Sequence, residues 1–113
     1  MYLDLFCKSC NCSLDIYDSF RARIVSSKSI GYRSSYCDRV DISNQYESYK
    51  DCMCTVRVFY CLLCGNEIGY TLIMPCLKCQ PEDPDLVQNC LPVYVFYTHM
   101  VKRRRRVCYD IAR

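Results

Sequence analysis

Two cysteine pairs of identical spacing, Cys7-x-x-Cys10 in "FCKSC" and Cys61-x-x-Cys64 in "CLLCG", carry the most specific chemistry in this chain. Two intervening residues let a tight turn aim both sulfurs at one cation while N–H groups of the turn bond to the thiolates. Gly65, directly after the second sulfur, relieves the backbone of such a knuckle. Two knuckles give four thiolates, so Cys7, Cys10, Cys61 and Cys64 are expected to close one tetrahedral zinc site. The long gap between the pairs would make the metal clamp distant parts of the chain, and its binding energy would be folding energy. Against this stand separate free or disulfide-bonded cysteines, and a thioredoxin-like redox pair. The redox pair should follow a strand and open a helix, whereas both pairs here are flanked by strand-like residues.

Cys52, Cys54, Cys76 and Cys79 form a second set. If the second knuckle tips a hairpin, "CMC" and "CLKC" lie at similar levels on its two arms, about 25 Å or more from the tip at ~3.3 Å per residue. That allows a second four-sulfur site, with Cys90 or His99 as substitutes for one ligand. C-x-C is the less common ligand spacing, and some of these residues fit a core equally well. His99, the lone histidine, sits in an apolar run and reads as a core or surface residue before a ligand. Cys12, Cys37 and Cys108 have no spaced partner and read as free thiols. The basic run Lys102, Arg103, Arg104, Arg105 and Arg106 suits phosphates, an acidic partner or nuclear import, and equally a solvated turn between two late strands. No aromatic residues interleave it as a single-strand platform requires. Nor is there a Gly-rich phosphate loop, and a zinc held by four thiolates keeps no open position for water, so the chain reads as a non-enzyme.

The elements that must position these residues read as β. "TVRVFY" and "YTLIM" are β-branched and aromatic, punctuated by Gly65 and Gly69, and predict a hairpin. "VYVFYTHMV" predicts a late strand and "VCYDI" a last one. The polar stretch from Gly31 to Asp51 predicts a long surface loop or an edge region, and "QPEDPDLVQN" a loop. With 11 tyrosines, 4 phenylalanines and no 3.6-residue period, the expectation is a mainly antiparallel β-domain.

At 113 residues, 51% of them hydrophobic, residues 1–113 suit a single zinc-binding domain with one core. A content of 12 cysteines signals either disulfide or metal staples. The opening "MYLDLFCKSC" lacks the basic and apolar regions of a secretory signal, and no apolar run approaches the ~20 residues of a membrane span. The expectation is a chain that is nuclear, cytoplasmic or both, without a membrane partner. Four thiolate charges against the ion's two lower the formal +3 to +1, and two such sites lower it to −1. Net charge therefore gives no support to nucleic-acid binding.

The order "FCKSC", "CMC", "CLLCGNEIGYTLIMPCLKC" and "CYDIAR" resembles the family with sequence similarity 72, whose human member binds nuclear uracil-DNA glycosylase. The paired C-x-x-C with CG-x-x-(I/L)-G-(Y/W) after the second pair is more distantly similar to the β-tent zinc domains of Yippee, Mis-eighteen and cereblon proteins. These resemblances imply two antiparallel sheets clamped by zinc at Cys7, Cys10, Cys61 and Cys64, with Cys52, Cys54, Cys76 and Cys79 as matched cysteines. They also imply an adaptor that binds uracil-DNA glycosylase and ubiquitin-ligase subunits to control client turnover. The alternative is a nucleic-acid-binding zinc protein using residues 102–106. A homo-oligomer is compatible with either.

Overall fold

A computed structural model describes residues 3–23, 30–49, 53–77 and 93–105. The predicted loop at 80–89 and last strand at 107–111 lie outside them, as do Cys52, Cys79, Cys90, Arg106 and Cys108. Nine strands and, among the described residues, no helix make up the fold: β1 Leu3–Cys7, β2 Phe20–Arg23, β3 Ile30–Ser34, β4 Val40–Ile42, β5 Glu47–Ser48, β6 Thr55–Cys61, β7 Glu67–Met74, β8 Val93–Tyr97 and β9 Val101–Arg105. All pairings are antiparallel. Among the described residues, one sheet holds only β1 and β9. The other runs β2-β3-β8-β7-β6-β4, with β5 also on β6.

The predicted hairpin is β6–β7, with Val58 opposite Tyr70 and Phe59 opposite Gly69. Its strands are apolar almost throughout because both faces are used. Val56, Val58, Tyr70 and Val95 form a cluster on the outer face. Phe59, Cys61, Ile68 and Phe96 point inward and meet Leu5, Cys7 and Val101 of the small sheet, with Leu14 and Ile16 of the arm that follows the first knuckle. A register shift between Phe59 and Tyr60 lets Ile68 turn inward while Tyr70, two residues on, faces outward. Phe59 and Phe96 are fully buried with ring centroids 5.0 Å apart, each contributing about 2–3 kcal/mol of burial.

Gly69 makes this packing feasible. A Cβ there would overlap the Val95 carbonyl oxygen and come within 2.6 Å of the Phe59 ring.

Two expectations change. The polar stretch after residue 30 is not one loop: β4 and β5 share the outer edge of β6, as the edge reading expected, but β3 lies inside the sheet between β2 and β8. Ladder bonds formed by a polar strand leave no mark in its hydrophobic pattern. The late strand "VYVFYTHMV" is two strands. β8 ends at Tyr97, whose carbonyl accepts the Met100 N–H, and β9 starts at Val101 in the other sheet. The basic run through Arg105 is therefore a paired strand and not a turn, with Asp4 opposite Arg104 and Leu5 opposite Arg103.

Asp4 ties the small sheet to the arm beyond the first knuckle. Fully buried, it accepts from the Ile16 N–H at 3.0 Å and from the Ser13 hydroxyl. Removing such an acceptor from a buried pair of donors costs about 1–3 kcal/mol per donor left without a partner.

Candidate metal centre

Each C-x-x-C pair begins on the last residue of a strand, Cys7 on β1 and Cys61 on β6. The two turns share one backbone design. The carbonyls of Cys7 and Cys61 accept the N–H four residues on, from Asn11 at 2.7 Å and Gly65 at 2.9 Å. The N–H groups of Cys7 and Cys61 donate to the carbonyl five residues on, at Cys12 (3.0 Å) and Asn66 (2.9 Å). The residue that closes each turn is left-handed, Asn11 at φ 64° and Gly65 at φ 76°. Glycine takes that conformation without strain, and asparagine is among the few side chains that tolerate it. The first knuckle therefore needs no glycine, and "FCKSCN" does the work of "YCLLCG".

The Phe59–Phe96 core holds the ends of β1 and β6 together, and the four sulfurs of Cys7, Cys10, Cys61 and Cys64 all lie within 4.8 Å of one another. Cys7 Sγ is 3.6 Å from Cys64 Sγ, and Cys10 Sγ is 3.6 Å from Cys61 Sγ. Disulfide sulfurs sit about 2.05 Å apart, whereas four sulfurs ~2.3 Å from a central zinc sit about 3.8 Å from one another. The spacing fits a tetrahedral ion and not a bridge. Neither pair opens a helix, so a thioredoxin-like arrangement is absent from the described residues.

The electrostatics point the same way. Burial pushes the Cys61 thiol up, but the N–H groups of Cys64 and Leu63 and the thiols of Cys12 and Cys10 outweigh it and bring it down to about 6. Burial pushes Cys7 up to about 12 against the N–H groups of Cys10 and Ser9. At Cys10 the Cys12 N–H pulls down, but burial and the neighbouring Cys12 and Cys61 thiols carry the group up to about 11. Without a cation the cluster thus holds a ready thiolate at Cys61, while Cys7 and Cys10 keep their protons. A divalent cation supplies the charge that lets Cys7 and Cys10 ionise.

One participant gave no signal in its spacing. Cys12 Sγ lies 3.5 Å from Cys61 Sγ. Counted from the first cysteine of its knuckle, Cys12 occupies the position that Asn66 holds in the second, and Asn66 Nδ2 donates to Cys64 Sγ at 3.4 Å. Each knuckle thus carries, five residues after its first cysteine, a polar side chain against a sulfur of the cluster. Comparing the two knuckles position by position would have found it, whereas a search for C-x-x-C spacing could not.

The second set is only partly described. Cys54, just before β6, and Cys76, just after β7, are neighbours at the far end of the hairpin, where the Cys76 N–H donates to Cys54 Sγ at 3.3 Å. Cys52 and Cys79 lie outside the described residues. His99 is exposed in the turn between β8 and β9, stacked on Tyr97 with centroids 5.6 Å apart. Cys37 is half-buried, and burial followed by the Asp38 charge pushes its thiol up to about 12.

The basic run makes internal contacts. The Arg103 guanidinium donates to the Ser19 carbonyl at 3.3 Å and lies 5.4 Å from the Tyr32 ring centroid. That of Arg104 sits 4.2 Å over Phe6 and donates to Asn11 at 3.3 Å. Lys102 is half-buried and Arg105 exposed. No protein-family model matches the chain.

Proposed function

We propose that this chain is a non-enzymatic, zinc-stabilised protein-interaction adaptor of β-tent type, nuclear or shared between nucleus and cytoplasm. The four-sulfur group carries the proposal. Once four thiolates take a zinc, no coordination position remains for substrate or water, so the ion fastens the β1–β9 sheet to the β6–β7 hairpin and performs no catalysis. Apolar residues exposed at the knuckle, Leu62 and Leu63, and at the far end of the hairpin, Met53 and Leu77, suit contact with other proteins.

On the resemblance of its cysteine motifs, the clients are uracil-DNA glycosylase and ubiquitin-ligase subunits. A pull-down with the zinc-loaded chain as bait should enrich purified glycosylase or ligase subunits, and enrichment of neither removes this assignment. Nucleic-acid binding through residues 102–106 has less support, because the Arg103 and Arg104 guanidiniums already have partners in the fold. That reading requires an affinity for DNA that falls steeply with salt.

A further inference from the structure

The inner face of the large sheet is closed by the small sheet, but its outer face carries a groove of about 570 Å³, lined from β3 at one side to β5 at the other. A row of rings crosses it. Tyr49 and Tyr70 are 4.9 Å apart between centroids, Tyr70 and Tyr97 6.0 Å, and His99 stacks on Tyr97 at 5.6 Å. The carboxylates of Glu47 and Glu67 line the same groove, and the Tyr97 hydroxyl donates to Glu67 Oε2 at 2.7 Å, fixing that group. Among the described residues no lysine or arginine lines it. Burial, followed by the Glu67 and Glu47 carboxylates, pushes the Tyr97 phenol well up, as expected where the local field is negative.

Each chemical feature narrows the occupant. Two carboxylates repel an anion. A purely apolar ligand would desolvate both carboxylates and bring them no counter-charge. The negative faces of aromatic rings attract a cation, and a guanidinium both stacks on such a face and takes a carboxylate through two parallel N–H bonds, which an ammonium cannot. The groove's size, within the range of ligand sites, leaves room for the residues that flank such a side chain.

We infer that this groove binds an arginine side chain of a peptide segment of a partner protein, its guanidinium over the Tyr70–Tyr97 rings and against Glu67 and Glu47. The inference rests on the adaptor reading and names the chemistry of the partner.

The test uses the zinc-loaded full chain, isotopically labelled, and the heptapeptide Gly-Ser-Ala-Arg-Ala-Ser-Gly. Lysine and citrulline versions serve as controls, citrulline being the neutral isostere of arginine. The arginine peptide should shift the amide resonances of Glu47, Glu67, Tyr70 and Tyr97 saturably. The citrulline peptide should bind roughly tenfold more weakly, and the lysine peptide should fall between them. Because Glu67→Gln also exchanges the charged acceptor of the Tyr97 hydroxyl for a neutral amide, Glu47→Gln at an exposed carboxylate serves as the second variant. Each should weaken the arginine peptide several-fold and leave the β-sheet spectrum intact. Equal binding of the citrulline peptide, shifts confined to another surface, or no shifts up to about 1 mM peptide would overturn the inference. Pull-down with the double variant separates the two levels. Clients captured equally by wild type and Glu47→Gln/Glu67→Gln would sink the groove and leave the adaptor reading standing. Arginine-peptide binding with no client captured would do the reverse.

Discussion

Cys12 is a thiol within reach of the cluster, and its effect on the metal should be graded, unlike that of a ligand. Its sulfur lies against Cys61 much as the Asn66 amide lies against Cys64. Such partners tune a bound thiolate without holding the ion. Cys12→Ala should therefore keep the fold and lower zinc affinity roughly tenfold in a chelator competition, whereas Cys61→Ser should abolish zinc uptake. Equal effects from both variants would place Cys12 among the ligands. The left-handed residues make a second contrast. Because Asn11 already does in one knuckle what Gly65 does in the other, Gly65→Asn should cost less than about 1 kcal/mol. A Cβ at Gly65 meets no neighbour, but Gly65→Val forces a β-branched residue into that conformation, at about 1–2 kcal/mol or more by thermal unfolding.

Among the elements, the β6–β7 hairpin sets the distance between the knuckle and the Cys54–Cys76 contact, and its weakest tolerance is at Gly69. Gly69→Ala drives a methyl group into the Val95 carbonyl and the Phe59 ring, so the β7–β8 ladder must shift. We expect a loss of about 3 kcal/mol, read as a lower denaturant midpoint at unchanged slope. This hairpin was legible in the sequence because its strands are β-branched and aromatic and its tip is a C-x-x-C-G turn. The four-sulfur group was equally legible, since identical knuckles at two places need only one folding event to meet. β3 and β5 were not, because their order comes from ladder bonds to apolar neighbours and not from their own polar residues. The conversion of the basic run into β9 was hidden for a related reason. What holds Arg103 and Arg104 is Ser19, Tyr32, Phe6 and Asn11, partners about seventy to more than ninety residues distant that no local pattern announces. Cys12 escaped because its role depends on the equivalence of two turns.

For the molecule as a whole, zinc and the fold should be one equilibrium. The two sheets meet at the Phe59–Phe96 core and again at the sulfurs, so removing the ion with a chelator should unfold the chain or leave it expanded. The pH dependence has a definite sign. In the metal-free cluster Cys7 and Cys10 hold their protons, at about 12 and about 11, while Cys61, at about 6, is already largely ionised at neutral pH. Zinc must displace at least the first two protons. Apparent affinity should therefore fall as pH falls, by about a hundredfold or more per unit between pH 8 and 7, and the stability that zinc confers should fall with it. A pH-independent affinity would mean that the ion is held by other groups.

The most direct test of the clamp is native mass spectrometry of the full chain, purified without added metal or oxidant and compared with Cys61→Ser. The proposed clamp predicts at least one zinc per folded wild-type chain, no disulfides among Cys7, Cys10, Cys61 and Cys64, and loss of both that zinc and the compact charge-state distribution in the variant. A folded, metal-free wild-type chain with disulfides among those four cysteines would contradict it.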